Sequence, residues 1–469
     1  CPEKLANLLS MAFLEPKPVE TVIRETITPS ATDNLPIKTI TLERLFLLSL
    51  EKAIFLEKYI GNFNAMDLSL KIKNLLRILP IFFGIVYTSL SNLSAQTQNN
   101  SQNCFKTAAD RPELYLKLLK NKNIAVVANQ TSLLADKTHL VDFLVQSNIK
   151  IKHIFAPEHG FRGTADAGEH VKNGIDTKTG LPIISLYGDN KKPKPEQLQG
   201  VDIVLFDIQD VGVRFYTYIS TLTYVMEAAA ENGKEIIVLD RPNPHDGYTD
   251  GPVLKEKWTS FVGLHKVPVV YGLTIGEYGK MVNGEKWMKN AVQVKYTLIP
   301  MLNYHKNKRY PISEKPSPNL PNDQSINLYP SLCFFEGTQV SVGRGTDFPF
   351  QVYGSPWLKN QEFSFTPKPT SGAKDPFLNG KLCYGKDLRQ FPEIKGKLDL
   401  SFVIDAYQNF DKKAQDFFLK NLWFDTLAGT DELRKQIISG TPETEIRKSW
   451  QKDLENFEKI RRKYVLYEN

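Results

Sequence analysis

Five continuous apolar runs, four of them closed by a polar cluster, constrain this chain more than any other feature. NIAVVAN (123–129), IKHIFA (151–156), PIISLY (182–187), VDIVLFDI (201–208) and EIIVL (235–239) are apolar along most of their length, as strands buried on both faces are. Between them, 138–147 and 218–232 carry helical spacing. Leu140, Phe143 and Leu144 are apolar in the first; Leu222, Val225, Met226 and Ala229 are apolar in the second, and Gly233 closes it. Strands of this kind separated by helices predict an α/β fold with a parallel sheet covered on both sides. The strand ends carry Asn129-Gln130-Thr131, Pro157-Glu158-His159-Gly160, Gln209-Asp210 and Asp240-Arg241-Pro242-Asn243. In an open parallel sheet these ends border the ligand crevice, so the four clusters are expected on one rim.

The alternation is Rossmann-like and is assigned to residues 111–254. A second, smaller C-terminal α/β domain is expected over 255–469, closing the cleft. There the chain turns to loops rich in Pro, Asn and Gly, such as KPSPNLPN (315–322) and GRGTDFPF (343–350). Val292–Ile299 and Leu398–Ile404 read as strands. Asp431–Tyr467 reads as helical with a break at Gly440-Thr441-Pro442, where Thr441 is expected to cap the final helix. Ahead of the sheet, Met66 is followed by Lys71, Lys73 and Arg77, an apolar run from Ile78 to Leu90, and small residues ending in Ala95. This reads as a secretory signal peptide over 66–95, its apolar run too short to span a bilayer and interrupted by Pro80 and Gly84. Residues 1–65 are a doubtful upstream segment and 96–110 a flexible, polar linker. A periplasmic or secreted product follows, with no stable membrane span after processing.

Lys and Arg number 59 against 52 Asp and Glu, a net charge of +7 without a basic block, which argues against nucleic acid as a partner. Four cysteines without C-x-x-C spacing exclude a zinc knuckle and a dense disulfide framework; a Cys333–Cys383 bridge is compatible with an oxidising compartment. The histidines 153, 159, 170 and 245 form no recognised metal spacing, so no metal is assigned. No G-x-G-x-x-G follows the first strand, no Walker lysine accompanies Gly343-Arg344-Gly345-Thr346, and there is no G-x-S-x-G elbow. No cofactor is assigned.

PEHGFRG (157–163) is the sharpest segment. Glu158 at a strand end beside glycines can meet a substrate, with His159 and Arg162 setting its protonation state; equally, it can cap a helix or pair with Arg162. Asp207 and Gln209 share a strand face, and Arg214 either binds an anion or pairs with Asp210 to hold the turn. Asp240 either acts in the site or forms a structural pair with Arg241.

Together, PEHGFRG, SLYG (185–188), FDIQDVGVRFYTYISTL (206–222), LDRPNP (239–244), DGPVL (250–254), SFVG (260–263), YGLTIGEYG (271–279), SPNLP (317–321), YPSLCFFEGT (329–338) and SVGRGTDFPF (341–350) resemble the NamZ-type exo-β-N-acetylmuramidases. The resemblance spans most of the chain after residue 95. It implies a glycosidase that releases terminal N-acetylmuramic acid from the non-reducing end of peptidoglycan fragments, with Glu158 as the leading catalytic residue. One departure is His245-Asp246 after Pro244, where the family has an apolar residue and Gly. Glu158 would be the acid, its pKa raised by burial beside Phe161 or by a nearby carboxylate. Asp207, Glu169 or Asp240 would be the second group, or the substrate's own acetamido oxygen would attack. His159, Arg162, Gln209, Asp240 and Asn243 are candidate substrate contacts, Arg214 or Arg344 the candidate reader of the lactyl carboxylate, and Tyr216, Tyr218 or Tyr353 the candidate stacking surface. A periplasmic protein that binds muropeptides without cleaving them, and an ester or amide hydrolase, are the rival readings.

Overall fold

A computed structural model describes residues 104–469, apart from 163–172, 311, 313, 360 and 469. The predicted signal peptide, the upstream segment, most of the linker and Glu169 lie outside the described residues. The five apolar runs form β1 (Asn123–Ala128), β2 (Lys150–Ala156), β4 (Pro182–Ser185), β5 (Ile203–Asp207) and β6 (Glu235–Leu239), joined by β3 (Gly174–Ile175) and β7 (Lys295–Ile299). Their order is β3-β4-β2-β1-β5-β6-β7. All neighbours are parallel except β3, which runs antiparallel on the edge beside β4. Strand order reverses between β1 and β5, and a crevice opens beyond the carboxyl ends at such a switch point.

Burial follows the period of two that a sheet buried on both faces requires. Ala125, Val127, Phe155, Val204, Phe206, Ile236 and Val238 enter one core; Ile124, Val126, Ala128, Ile154, Leu205, Ile237 and Leu239 enter another. The second core takes in α1 (Pro112–Leu119) and α2 (Leu140–Gln146), the first α3 (Tyr218–Glu231) and α4 (Ile275–Gly284). Each fully buried aliphatic or Phe side chain contributes about 1.5–3 kcal/mol of transfer free energy, so two dry faces hold the rim in place.

The sheet does not end at residue 254. The 292–299 run is a strand, but β7 pairs with β6 in register from Glu235↔Lys295 to Leu239↔Ile299. A parallel neighbour needs a long crossover, and residues 240–294, including α4, provide it. The expected boundary at 254/255 therefore falls inside the first lobe. Beyond it come α5 (Asp323–Leu332), a 3-10 turn (Cys333–Gly337), the antiparallel sheet β8 (Val352–Ser355), β9 (Phe363–Phe365) and β10 (Cys383–Asp387), and helices α6 (Ser401–Asn409), α7 (Trp423–Ala428), α8 (Glu432–Ile438) and α9 (Glu443–Arg461). Leu398–Ile404, expected as a strand, instead leads into α6, whose Phe402, Val403 and Ala406 are buried at helical spacing. The break between α8 and α9 is present, but Pro442 precedes the last helix and the Thr441 hydroxyl meets Ser439 rather than capping it. Cys333 and Cys383 are buried free thiols, not a bridge. The described part of the linker is packed: Ala108 and Ala109 are fully buried, and Lys106 pairs with Leu302 through backbone hydrogen bonds. Among the described residues no helix is long and apolar enough to cross a membrane.

The carboxyl end of the chain returns to the sheet. Tyr467 donates its hydroxyl to Asp240 Oδ2 at 2.6 Å, while the Leu466 amide reaches Glu277, itself paired with buried Lys306 at 2.7 Å. Burial raises the Asp240 pKa to about 7, against the hydrogen bonds of Tyr467, Thr274 and Gly276 that pull it down. A carboxyl group raised in the fold favours its neutral form there. Its contribution to stability is complete below an unfolded pKa of about 4 and is lost as pH rises through about 7. The melting temperature of Asp240→Asn, measured between pH 4 and 7.5, is expected to fall less steeply with pH than that of the unaltered protein; parallel curves would remove Asp240 from this role.

Candidate active site

The turn after β2 places Glu158. Gly160 N donates to Pro157 O at 3.0 Å, and His159 and Gly160 both adopt left-handed backbone, with φ of 69° and 79°. A left-handed histidine is costly and is tolerated where surrounding structure over-determines it. The turn leaves Glu158 half-buried at the edge of a cavity of about 790 Å³ between the strand ends and the second lobe. The Thr217 hydroxyl donates to Glu158 Oε2 at 2.7 Å. Thr217 occupies the N-cap position of α3 but makes no side-chain cap; its hydroxyl serves the carboxylate instead. The Tyr187 phenol, just beyond β4, lies beside the same carboxyl group, and burial followed by the Glu158 charge pushes its pKa up. Tyr187 therefore stays a neutral donor. Asn129, at the end of β1, donates to the Tyr218 hydroxyl at 2.9 Å, so strand ends β1, β2 and β4 all contribute.

Of the residues expected in the site, Glu158, His159, Tyr216, Tyr218 and Arg344 line this cavity. Tyr216 and Tyr218 meet edge to face at 5.0 Å. The others are engaged elsewhere. Asp207 is fully buried in a two-pronged ion pair with Arg241, at 2.5 and 2.7 Å. Asp240 accepts from Thr274, Gly276 and Tyr467, so the Asp240–Arg241 side-chain pair does not form. Gln209 donates to the carbonyls of Asp210 and Pro242, and Asn243 to that of Leu273. Arg162 clasps Asp176 at 2.9 and 3.0 Å over the Phe161 ring. Phe161 packs against His139 in the second core, with Thr217 and Tyr187 instead beside Glu158. Tyr353 is buried against Phe335, and His245 binds the Val211 carbonyl through Nδ1.

Arg214 is the clearest revision. Its fully buried guanidinium donates to the carbonyls of Pro252, Val267 and Leu427 at 2.8–2.9 Å. It binds neither an anion in the cavity nor Asp210, which accepts from Gly212 N and Tyr271. The alternation of polar strand ends pointed to the rim but did not distinguish the side chains that hold it from those that face the cavity. Tyr187, Thr217, Lys191, Phe261, Glu336 and Trp423 also line the cavity. Tyr187 follows its strand as Glu158 follows β2, a signal the same rule could have used. Glu336 arrives from the 3-10 turn after α5, which no spacing announced. Among the described residues, no group of three or more His, Cys, Asp or Glu side chains is arranged to hold a metal ion.

A Rossmann-ordered sheet with a hydrogen-bonded carboxyl group at its rim, facing an aromatic cavity under a second lobe, defines an α/β enzyme site built for a polar, ring-bearing ligand. Models of the exo-beta-N-acetylmuramidase NamZ family match residues 124–324 (N-terminal part) and 327–467 (C-terminal part). The peptidoglycan beta-N-acetylmuramidase NamZ of Bacillus subtilis is 37% identical over 413 residues, which cover 82% of this chain and 97% of that protein. Two crystal structures of DUF1343 family proteins from Bacteroides fragilis superpose with TM-scores of 0.72 and 0.68, at 42% and 29% identity, each over 78% of this chain and 99% of the other. The chain belongs to the NamZ exo-β-N-acetylmuramidase family. The family models divide near residue 325, consistent with β7 completing the first lobe.

Replacing Arg214 with Met leaves three buried carbonyls without a donor. The expected cost is on the order of 3 kcal/mol or more of stability, read as a lowered urea midpoint, with the preference among sugar substrates unchanged. A shifted preference at unaltered stability would return Arg214 to the site.

Proposed function

We propose that this protein is a glycoside hydrolase that releases N-acetylmuramic acid from the non-reducing end of peptidoglycan-derived saccharides, with Glu158 as the general acid. The observation that carries this reading is the placement of Glu158: a carboxyl group at the rim of the cavity, hydrogen-bonded by Thr217 and flanked by Tyr187. Glycoside cleavage needs a proton delivered to the leaving oxygen as the anomeric bond breaks, and a fixed carboxylic acid within hydrogen-bond reach delivers it. The cavity has room for a disaccharide, and Tyr216, Tyr218, Phe261 and Trp423 make its wall aromatic, as suits sugar rings. The Bacillus subtilis relative named above is a peptidoglycan beta-N-acetylmuramidase, which supports the same chemistry for this chain.

The signal-peptide reading of residues 66–95 adds a place. Secreted or periplasmic protein would meet cell-wall fragments where they arise, and amino-terminal sequencing of exported protein is expected to find Gln96. Retention of the Met66 segment in a membrane fraction would replace that reading with an anchor.

Glu158→Gln keeps the shape of the turn and removes the transferable proton. Turnover of the natural saccharide is expected to fall on the order of a hundred-fold or more, with folding unchanged by circular dichroism. A nitrophenyl glycoside, whose leaving group needs little protonation, is expected to regain part of the loss. Near-normal cleavage of the natural substrate by folded Glu158→Gln would take the acid role from Glu158; a wild-type protein that binds the saccharide without cleaving it would favour the binding-protein reading.

A further inference from the structure

We infer that Arg344, tethered by Glu336, reads the carboxylate of the sugar's lactyl group and so sets the preference for N-acetylmuramic acid over N-acetylglucosamine; the inference rests on the proposed function above. The turn that carries Arg344 is rigid. Its flanking glycines have φ of 79° and 81°, and a Cβ at Gly345 would lie 2.6 Å from the Lys368 carbonyl and the Pro376 ring. Arg344 Nε donates to Glu336 Oε1 at 2.7 Å, and the guanidinium lies over the Phe350 ring at 5.0 Å. One edge of the guanidinium and one face are thereby fixed. The two terminal nitrogens, Nη1 and Nη2, have no hydrogen-bond partner among the described residues and are not sealed from the cavity.

This leaves the planar end of the fork for a ligand. Burial alone would lower the Arg344 pKa, but the Glu336 carboxylate outweighs it and keeps the group charged. A carboxylate meets such an end with two parallel hydrogen bonds, a match an ammonium group does not offer. Lys191 also lines the cavity, but it lies 4.9 Å above the Phe261 ring, as a point charge on an aromatic wall. Glu336 is the positioning residue. Its second oxygen faces the Cys333 thiol at 3.7 Å, so both oxygens are engaged in the wall that presents Arg344. N-acetylmuramic acid and N-acetylglucosamine differ by the lactyl ether, and the ionised end of that ether is the group this fork selects.

Binding tests the inference independently of turnover. In Glu158→Gln protein, calorimetry with N-acetylmuramic acid, its lactyl methyl ester and N-acetylglucosamine separates charge from shape. The acid is expected to bind roughly a hundred-fold more tightly than the ester. Arg344→Met in the same background is expected to bring acid and ester to equal, weak affinity. Arg344→Lys, which keeps charge without the fork, is expected to fall between and stands in if the Met variant does not fold. In the active enzyme, Glu336→Gln is expected to raise KM on the muramic acid glycoside with little change in kcat. The inference is overturned if acid and ester bind alike to the starting protein, if Arg344→Met weakens both by the same factor, or if Lys191→Met abolishes the difference instead. A fall in kcat with KM unchanged in Glu336→Gln would move Glu336 into the chemistry. Absence of cleavage by wild-type protein, with the acid-over-ester preference intact, would overturn the hydrolase reading and leave Arg344 in place.

Discussion

The buried pair of Asp207 and Arg241 is the interaction on which the rim depends. Asp207 closes β5, and Arg241 follows β6 and also donates to the Leu133 carbonyl beyond β1, at 3.0 Å. Ser132 Oγ completes the knot by donating to the Asp207 carbonyl at 2.5 Å. Three loops at the switch point are thus joined through groups with almost no solvent access. Such a pair offsets its desolvation only when its hydrogen bonds are satisfied, and breaking one side is costly because the other charge stays buried. Its function here is geometric: it fixes the loops from which the cavity wall continues through Thr217 and Tyr218.

Glu158 then sits among hydroxyl groups. Thr217, at the head of α3, and Tyr187, just beyond β4, both present hydroxyl groups to Glu158. Strong cations nearby are engaged by other carboxylates: Arg241 by Asp207, Arg162 by Asp176, Arg344 by Glu336. Hydroxyl donors orient a carboxyl group without the full stabilisation of its anion that a guanidinium would give. That separation suits the proton-donor role proposed for Glu158. The second lobe meets the same need from the other side, since its core is continuous with one face of the sheet and its GRG turn carries a cation to the cavity.

The sheet was legible because burial on both faces leaves an unbroken apolar run in the sequence, and four polar strand ends marked the rim. The rim position of Glu158 was legible for the same reason, through its place after IKHIFA. Arg214 and Asp207 were not. Each lies in the rim segment with the chemistry a site needs, yet a residue that supports a rim and one that faces its ligand have the same spacing and differ only in where three-dimensional partners lie. Asp207 is separated from Arg241 by 34 positions and Arg214 from Leu427 by 213. β7 was misplaced between lobes because a parallel edge strand follows a long crossover and has no local mark of its sheet. Leu398–Ile404 was misread because a short apolar run carries too little periodicity to separate strand from helix.

The central claim is that one carboxyl group, Glu158, meets the glycosidic oxygen of a sugar seated in the cavity at the switch-point rim. A crystal structure of Glu158→Gln with an uncleaved saccharide that ends in N-acetylmuramic acid tests it most directly. The account predicts the sugar between the strand ends and the GRG turn, with the glycosidic oxygen about 2.6–3.2 Å from the side-chain amide of residue 158. A saccharide seated outside this cavity, or one whose glycosidic oxygen lies against another acid and out of reach of residue 158, would contradict it.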